Sequence, residues 1–244
     1  MTDWLERTEL LIGEESLSKL KASNVLVVGL GGVGSYAAEF LVRAGIGKMT
    51  IVDGDIVDTT NRNRQLPALS STIGKEKVKV LEERFMDINP NLDLKLICEF
   101  LEPERMREIL LEGKYDFALD CIDSVSPKIA LIIACKNTKT RIICAMGAGG
   151  KLNPAMVRIG DISETYECKF AQEVKRKLKK QGLKFGLKVV FSPEPVDKKA
   201  LKLTDGKNFK KSFYGTISYM PALFGLHMAY FVIDRLRKKK TIEN

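Results

Sequence analysis

The stretch Asn24–Gly45, NVLVVGLGGVGSYAAEFLVRAG, decides the fold of this chain. Val25 to Val28 is short, uncharged and mostly β-branched, the composition of a strand buried on both faces of a sheet. Gly29, Gly31, Gly32 and Gly34 follow at once, and Ser35 to Ala44 reads as a helix whose small residues allow close packing. A strand that turns through glycines into a helix presents backbone N–H groups and the positive end of a helix dipole, which together seat phosphate. Gly29-x-Gly31-x-x-Gly34 is the dinucleotide-binding pattern. Asp53 closes the apolar run Met49–Val52, nineteen positions beyond Gly34, where a ribose-binding carboxylate belongs. For the glycines alone, a tight turn with no ligand is the alternative; the strand before and the acid after weigh against it.

Along the chain, strands are expected at 24–29, 49–53, 92–99, 115–121 and 141–146, with helices at 35–44, 74–88, 103–111 and 125–137. That alternation predicts an α/β, Rossmann-like, doubly wound and mostly parallel sheet, with its ligand at the carboxyl ends of the strands. Thr2 to Ser23 looks helical, a lid or subunit contact with Leu10, Leu11, Leu17 and Leu20 as its apolar points. After Gly150 the rhythm changes. Strands are expected at 156–160 and 188–192, a basic helix at 164–183, a mobile lysine-rich loop at 193–212 and a long apolar helix at 216–237. Ser218, Pro221, Gly225 and His227 dilute that last run, which points to burial in the core or a dimer interface rather than a membrane span. The division is a nucleotide-binding part, 1–150, with a helical lid, and a basic C-terminal part, 151–244.

The charge follows the same division. Residues 1–150 carry 19 Lys+Arg against 22 Asp+Glu, a net of −3, and residues 151–244 carry 21 against 9, a net of +12. An acidic nucleotide-binding part joined to a strongly basic one implies a polyanionic partner, with simple solubility as the plainer explanation. Hydrophobic content of 45% in 244 residues is enough for a sizeable core. Cys98, Cys121, Cys135, Cys144 and Cys168 are scattered without a Cys-x-x-Cys pair, and His227 is the only histidine, so a disulfide framework and a structural zinc site are not expected. No secretory leader is recognisable, which points to the cytoplasm.

A dehydrogenase would need only the glycines and Asp53, and this chain carries more. Asn61, Arg64 and Gln65 stand in NRNRQ, Lys77 in GKEK, and Asp123 at the end of a strand. Arg64 and Lys77 could neutralise a triphosphate, and Asp123 could hold Mg2+, which favours one or two carboxylates plus phosphate oxygens. Singly, the cations could be solvated charges and Asp123 the N-cap of the next helix. Their appearance together after the right strands favours chemistry at phosphorus.

In these motifs the chain resembles the superfamily of ubiquitin-activating-like adenylating enzymes, with the molybdopterin- and thiamine-pathway adenylyltransferases. The resemblance runs from about Leu5 to Gly150: GxGGxG at 29–34, V-D-x-D at 52–55, N-x-x-R-Q at 61–65, G-x-x-K at 74–77, I-N-P at 88–90 and D-C-x-D at 120–123. It implies attack of a substrate carboxylate on the α-phosphate of ATP, giving an acyl-adenylate and pyrophosphate. Asp53 would then bind the ribose; Asn61, Arg64 and Lys77 would hold phosphates; Asp123 would hold Mg2+. Asp55 and Gln65 lie in the same motifs and count with the nucleotide site. Arg7 sits where the family sends an arginine into the partner subunit's site.

The C-terminal part chooses the branch. The two zinc-binding Cys-x-x-Cys pairs of the protein-modifier-activating members are missing. Instead 161–165 (DISET), 191–194 (FSPE) and 215–229 (GTISYMPALFGLHMA) resemble the tRNA threonylcarbamoyladenosine dehydratases. That resemblance implies ATP-driven activation of the threonylcarbamoyl carboxylate on a tRNA adenosine, followed by ring closure with net loss of water. It also implies a homodimer, and it leaves a sulfur-relay protein and a monovalent cation as open additions. In Lys169–Lys188 eight residues are Lys or Arg and only Glu173 is acidic. Lys169, Lys175, Arg176, Lys179 and Lys180 are the expected tRNA contacts, on a helix anchored by Phe170, Val174 and Leu178. Where the family usually has Asp-Pro, this chain has Cys168-Lys169; cyclisation needs no thiol, so Cys168 is not expected to be a nucleophile. The rival is an adenylyltransferase for the C-terminus of a ubiquitin-like sulfur carrier.

Overall fold

A computed structural model describes residues 3–203 and 212–238 of the chain. The N-terminal stretch is two helices, α1 (Glu6–Ile12) and α2 (Glu14–Lys21). Gly13 lies between them at φ 85°, outside helical space, and divides the helical stretch in two. Leu17 and Leu20 of α2 are buried, whereas Leu10 and Leu11 of α1 are 89% and 85% exposed. Only two of the four apolar points therefore belong to the core.

There follow β1 (Asn24–Val28), α3 (Gly34–Arg43), β2 (Lys48–Val52), α4 (Lys77–Ile88), β3 (Asp93–Ile97), α5 (Pro103–Gly113), β4 (Phe117–Asp120), α6 (Val125–Asn137) and β5 (Ile142–Ala145). The second part adds β6 (Arg158–Asp161), α7 (Lys169–Lys180), β7 (Lys188–Phe191), β8 (Leu201–Leu203), β9 (Ser212–Tyr214) and α8 (Tyr219–Arg237). Seven strands form one sheet in the order β3-β2-β1-β4-β5-β7-β6. Every pairing is parallel except β6 with β7, which is antiparallel. The order reverses between β1 and β4, the place where such sheets open a crevice above the strand ends. Because β7 pairs with β5, the sheet runs from the acidic first part into the basic second part. The change of charge at Gly150 is not a boundary of packing.

Helices cover both faces. One core joins β1, β2 and β5 to α3, α4 and α8; the opposite face packs against α5, α6 and α7. Met220, Phe224, Met228, Val232 and Leu236 repeat every fourth residue of α8 and have no exposed surface. Each such side chain contributes ~1.5–3 kcal/mol by leaving water. α8 lies against α3, α2, β5 and β7, so it is a core helix; Leu226 and Tyr230 remain exposed. Among the described residues no helix is long and apolar enough to cross a membrane.

The basic helix begins five residues later than periodicity suggests. Asp161 and Glu164 close a capping box around a short 3-10 turn, and Glu167 takes a left-handed φ of 51° before α7 starts. Its anchoring stripe is Ala171, Val174 and Leu178, with Phe170 only partly buried. The expected loop at 193–212 carries β8, which pairs antiparallel with β9. Strands of three residues leave no periodicity to read; positions 204–211 of that loop lie outside the described residues.

Candidate nucleotide site at the strand ends

The site forms where β1, β2 and β4 end. Gly29 lies at φ 89°, and a Cβ there would come 2.9 Å from the Cys121 carbonyl oxygen. A Cβ on Gly34, the first residue of α3, would fall 1.8 Å from the Gly29 carbonyl oxygen. Only glycine allows the turn to fold back so closely on the helix it starts. The result is a bare-backbone cradle under the positive end of α3.

Asp53 is locked to that cradle. Its Oδ2 accepts from the Leu30 N–H at 2.6 Å and its Oδ1 from the Asp55 N–H at 2.8 Å. Burial raises its pKa above the ordinary carboxylate value, and the Lys77 charge and the two N–H donors oppose that rise. Asp55 itself meets Lys77: the ammonium lies 2.8 Å from Asp55 Oδ2, with the lysine side chain 4% exposed and the carboxylate 53%. Lys77 opens α4, and its N–H donates to the Asp55 carbonyl at 3.1 Å, so this pair ties the end of β2 to that helix.

The NRNRQ segment lies across the glycine loop. Asn61 Oδ1 accepts from the Asp58 N–H at 3.2 Å in a reciprocal capping box, so Asn61 shapes its own turn. Arg64 Nη1 donates to the Thr60 carbonyl at 2.9 Å and to Asn63 Oδ1 at 2.8 Å. Burial pulls Arg64 below the ordinary arginine value, and the nearby Asp123 charge opposes this. Gln65 lies beside Gly31, with Nε2 3.6 Å from where a Cβ would be, and its Oε1 is buried with no hydrogen-bond partner among the described residues. An open glycine cradle beside an unsatisfied acceptor fits a ligand that carries N–H or O–H groups.

Asp123 is exposed after β4, near Arg64, and accepts from the Ser124 hydroxyl at 3.4 Å. Among the described residues no three His, Cys, Asp or Glu side chains group to hold a metal ion. One exposed carboxylate suits Mg2+ completed by phosphate oxygens and water, and does not suit a metal held by protein alone. Arg7 is exposed on α1 and does not belong to this cluster. Lys169, Arg176, Lys179 and Lys180 are exposed on α7. Lys175 instead donates to the carbonyls of Thr165 (2.8 Å) and Ser163 (3.2 Å), and Arg176 pairs with Glu173 at 2.6 Å.

Two polar clusters escape the sequence reading. Lys128 of α6 is buried against Asp120 at the end of β4. A lysine on the apolar stripe of Leu131, Ile132 and Cys135 at helical spacing was the available signal. Lys151 is buried after β5, where it donates to the carbonyls of Glu167 and Glu194, while the Glu194 carboxylate accepts from the N–H groups of Leu152 and Asn153. Cys168 is buried at the start of α7, beside this knot.

A doubly wound sheet with this cradle, an acid after β2 and a cation–carboxylate cluster over the strand ends defines a nucleotide-binding α/β protein. The chain belongs to the ThiF family, whose model matches residues 5–244. It is 37% identical to the tRNA threonylcarbamoyladenosine dehydratase of Haemophilus influenzae, covering 93% of this chain and 90% of that one. With the Bacillus subtilis protein of the same name it is 42% identical, over 80% of this chain and 76% of that one. Among solved structures it is similar to the E. coli tRNA N6-threonylcarbamoyladenosine dehydratase in complex with ATP, with a TM-score of 0.84 and 32% identity, covering 94% of this chain and 92% of that one.

Proposed function

We propose that the chain is an ATP-dependent tRNA-modifying enzyme that adenylates the threonylcarbamoyl group on a tRNA adenosine and then closes it into a ring. What supports this reading is that Arg64 packs against Gly32 and feels the charge of Asp123, in a chain alike over nearly its whole length to dehydratases of that name.

The cradle and the start of α3 seat phosphate, and Asp53 takes the ribose hydroxyls. Asn61, Arg64 and Lys77 meet the charge of the triphosphate, with Asp55 fixing the direction of the Lys77 ammonium. A carboxylate oxygen of the substrate attacks the α-phosphorus. The bridging P–O bond to the β-phosphate breaks, and pyrophosphate leaves. A heteroatom of the carbamoyl group then attacks the activated acyl carbon, AMP departs with the former carboxylate oxygen, and a proton is lost. The substrate has given up the elements of water. Because the attacking group is already held beside its target, the second step gains from proximity and needs no protein nucleophile. Asp123 would hold Mg2+, which when bound would neutralise phosphate charge.

The exposed Leu10 and Leu11 beside Arg7 on α1 support a homodimer in which this helix meets a second copy and brings Arg7 to its site. The exposed cations of α7 support contact with tRNA. A sulfur-relay partner and a monovalent cation carry over from the resemblance alone, with no residue assigned to either. A cytoplasmic location goes with this reading.

The test is incubation with ATP, Mg2+ and tRNA carrying threonylcarbamoyladenosine, followed by mass spectrometry of the nucleoside. Loss of one water is expected. Unchanged nucleoside, with pyrophosphate exchange that depends on a sulfur-carrier protein, would overturn the reading in favour of the carrier adenylyltransferase.

A further inference from the structure

At one edge of the sheet an aromatic ring and a guanidinium stand level with the nucleotide site. β6 is the outermost strand, and its register sets Arg158 opposite Phe191 and Ile159 opposite Val190. Val190 in turn pairs with Ala145, the last residue of β5. Arg158 therefore lies at the carboxyl end of the parallel strands, the end that carries the glycine cradle, Asp53 and Asp123. α7 starts at the same end: a Cβ on Gly147, just beyond β5, would come 3.3 Å from Phe170 Cβ and 3.9 Å from Cys168 Sγ.

Tyr166 lies on the segment that joins this edge strand to α7. Its ring is half exposed and sits edge-on to the buried Phe191, with centroids 6.2 Å apart at 72°. The Arg158 guanidinium lies 5.9 Å from the Tyr166 centroid, and Nη1 donates to its hydroxyl at 3.3 Å. Phe191 below and Arg158 beside it fix the ring in place, so little freedom remains to be surrendered when a ligand meets it. Lys169, Arg176, Lys179 and Lys180 continue along exposed α7. Glu164 and Glu167 are both exposed acids of the connecting segment, and Glu164 accepts from the Asp161 N–H at 2.8 Å.

We propose that Arg158 and Tyr166 form a stacking platform for an unpaired base of the RNA substrate, next to the nucleotide whose side chain enters the strand-end site. This rests on the tRNA reading above and adds the place where the strand is gripped on its way to that site. Unstacked bases are held on aromatic rings and guanidinium planes, whereas phosphates are held by lysines. A fixed aromatic–arginine pair at the site end of a basic helix offers both in series. α7 is twelve residues long, about 18 Å at 1.5 Å per residue, so Lys179 and Lys180 would meet phosphates well removed from the stacked base.

The two kinds of interaction part in salt. Stacking releases no counterions, so removing it lowers affinity without changing the slope of log affinity against log salt; removing a cation that neutralises a phosphate flattens that slope. The experiment measures binding of full-length tRNA carrying threonylcarbamoyladenosine to the whole protein by fluorescence anisotropy at several salt concentrations. Tyr166→Leu, which keeps apolar contact with Phe191 but has no π face, is expected to raise Kd about tenfold at every salt concentration with an unchanged slope. Tyr166→Phe is expected to stay within about twofold of the parent. Lys179→Gln with Lys180→Gln is expected to flatten the slope. If the parent binds tRNA and Tyr166→Leu binds as well as it does, the platform is wrong while the tRNA reading stands. If the parent does not bind tRNA, it is the tRNA reading that fails.

Discussion

The Lys128 ammonium lies 2.6 Å from the Asp120 carboxylate, and both side chains are wholly buried. Asp120 ends β4, and its other oxygen accepts from the Ile122 N–H at 3.1 Å. The pair thus shapes the turn that leads to Asp123. The ring of Phe170, on α7, lies 5.7 Å from the same ammonium, so the basic helix and the strand-end turn share one buried charge.

Breaking that pair from one side leaves an uncompensated charge in the core. Lys128→Met is expected to cost about 3–5 kcal/mol in urea unfolding. The double variant Lys128→Met with Asp120→Asn is expected to recover most of that loss, because no buried charge is then orphaned. A single variant within about 1 kcal/mol of the parent would show that the lysine reaches solvent.

Asp123 is exposed, so its removal is expected to leave folding within about 0.5 kcal/mol while chemistry is lost. In Asp123→Ala, ATP–pyrophosphate exchange is expected to fall by a factor on the order of 100 or more, as for other electrostatic groups at a reacting centre. Exchange within a few-fold of the parent would remove Asp123 from the site.

Much of this architecture can be read because the decisive signals are local. β1, β4 and β5 are short apolar runs buried on both faces, and the glycines and Asp53 follow their strands at fixed offsets. The rest depends on distant partners. The apolar stripe of Leu131, Ile132 and Cys135 turns Lys128 inward, but only the packed fold shows its ammonium reaching back to Asp120. Lys175 looks like its neighbours on α7 until Thr165 and Ser163 present their carbonyls to it. Leu10 and Leu17 share one apolar pattern, and only the break at Gly13 sends one outward and the other into the core.

That difference on α7 can be measured. Replacing Arg176, Lys179 and Lys180 by glutamine is expected to weaken tRNA binding and to flatten its salt dependence, with ATP affinity unchanged. The slope should fall by about 0.7–0.9 for each phosphate that is no longer neutralised. Lys175→Gln is expected to lower the melting temperature instead, because two carbonyls lose their donor. If Lys175→Gln flattened the salt slope as much as the triple change, its ammonium would touch RNA and would not be a brace.

Glu39 joins α3 to α4, and its contribution has a definite pH sign. Its Oε1 accepts from Arg43 Nε at 2.8 Å and from Arg84 Nη2 at 3.0 Å, and Arg84 Nε donates to Oε2. Burial alone would raise its pKa, but the hydrogen bonds and charges of Arg84 and Arg43 win and hold it below the ordinary glutamate value. A carboxylate whose folded pKa is depressed stabilises the fold above its unfolded pKa of about 4.3, and loses that contribution as pH falls through the folded value. Glu39→Gln is therefore expected to cost about 1 kcal/mol at neutral pH, with the gap to the parent closing below about pH 4. Urea unfolding at about pH 7, 5 and 3.5 checks this; a gap that stays constant across the series would mean that Glu39 acts through packing and not through its charge.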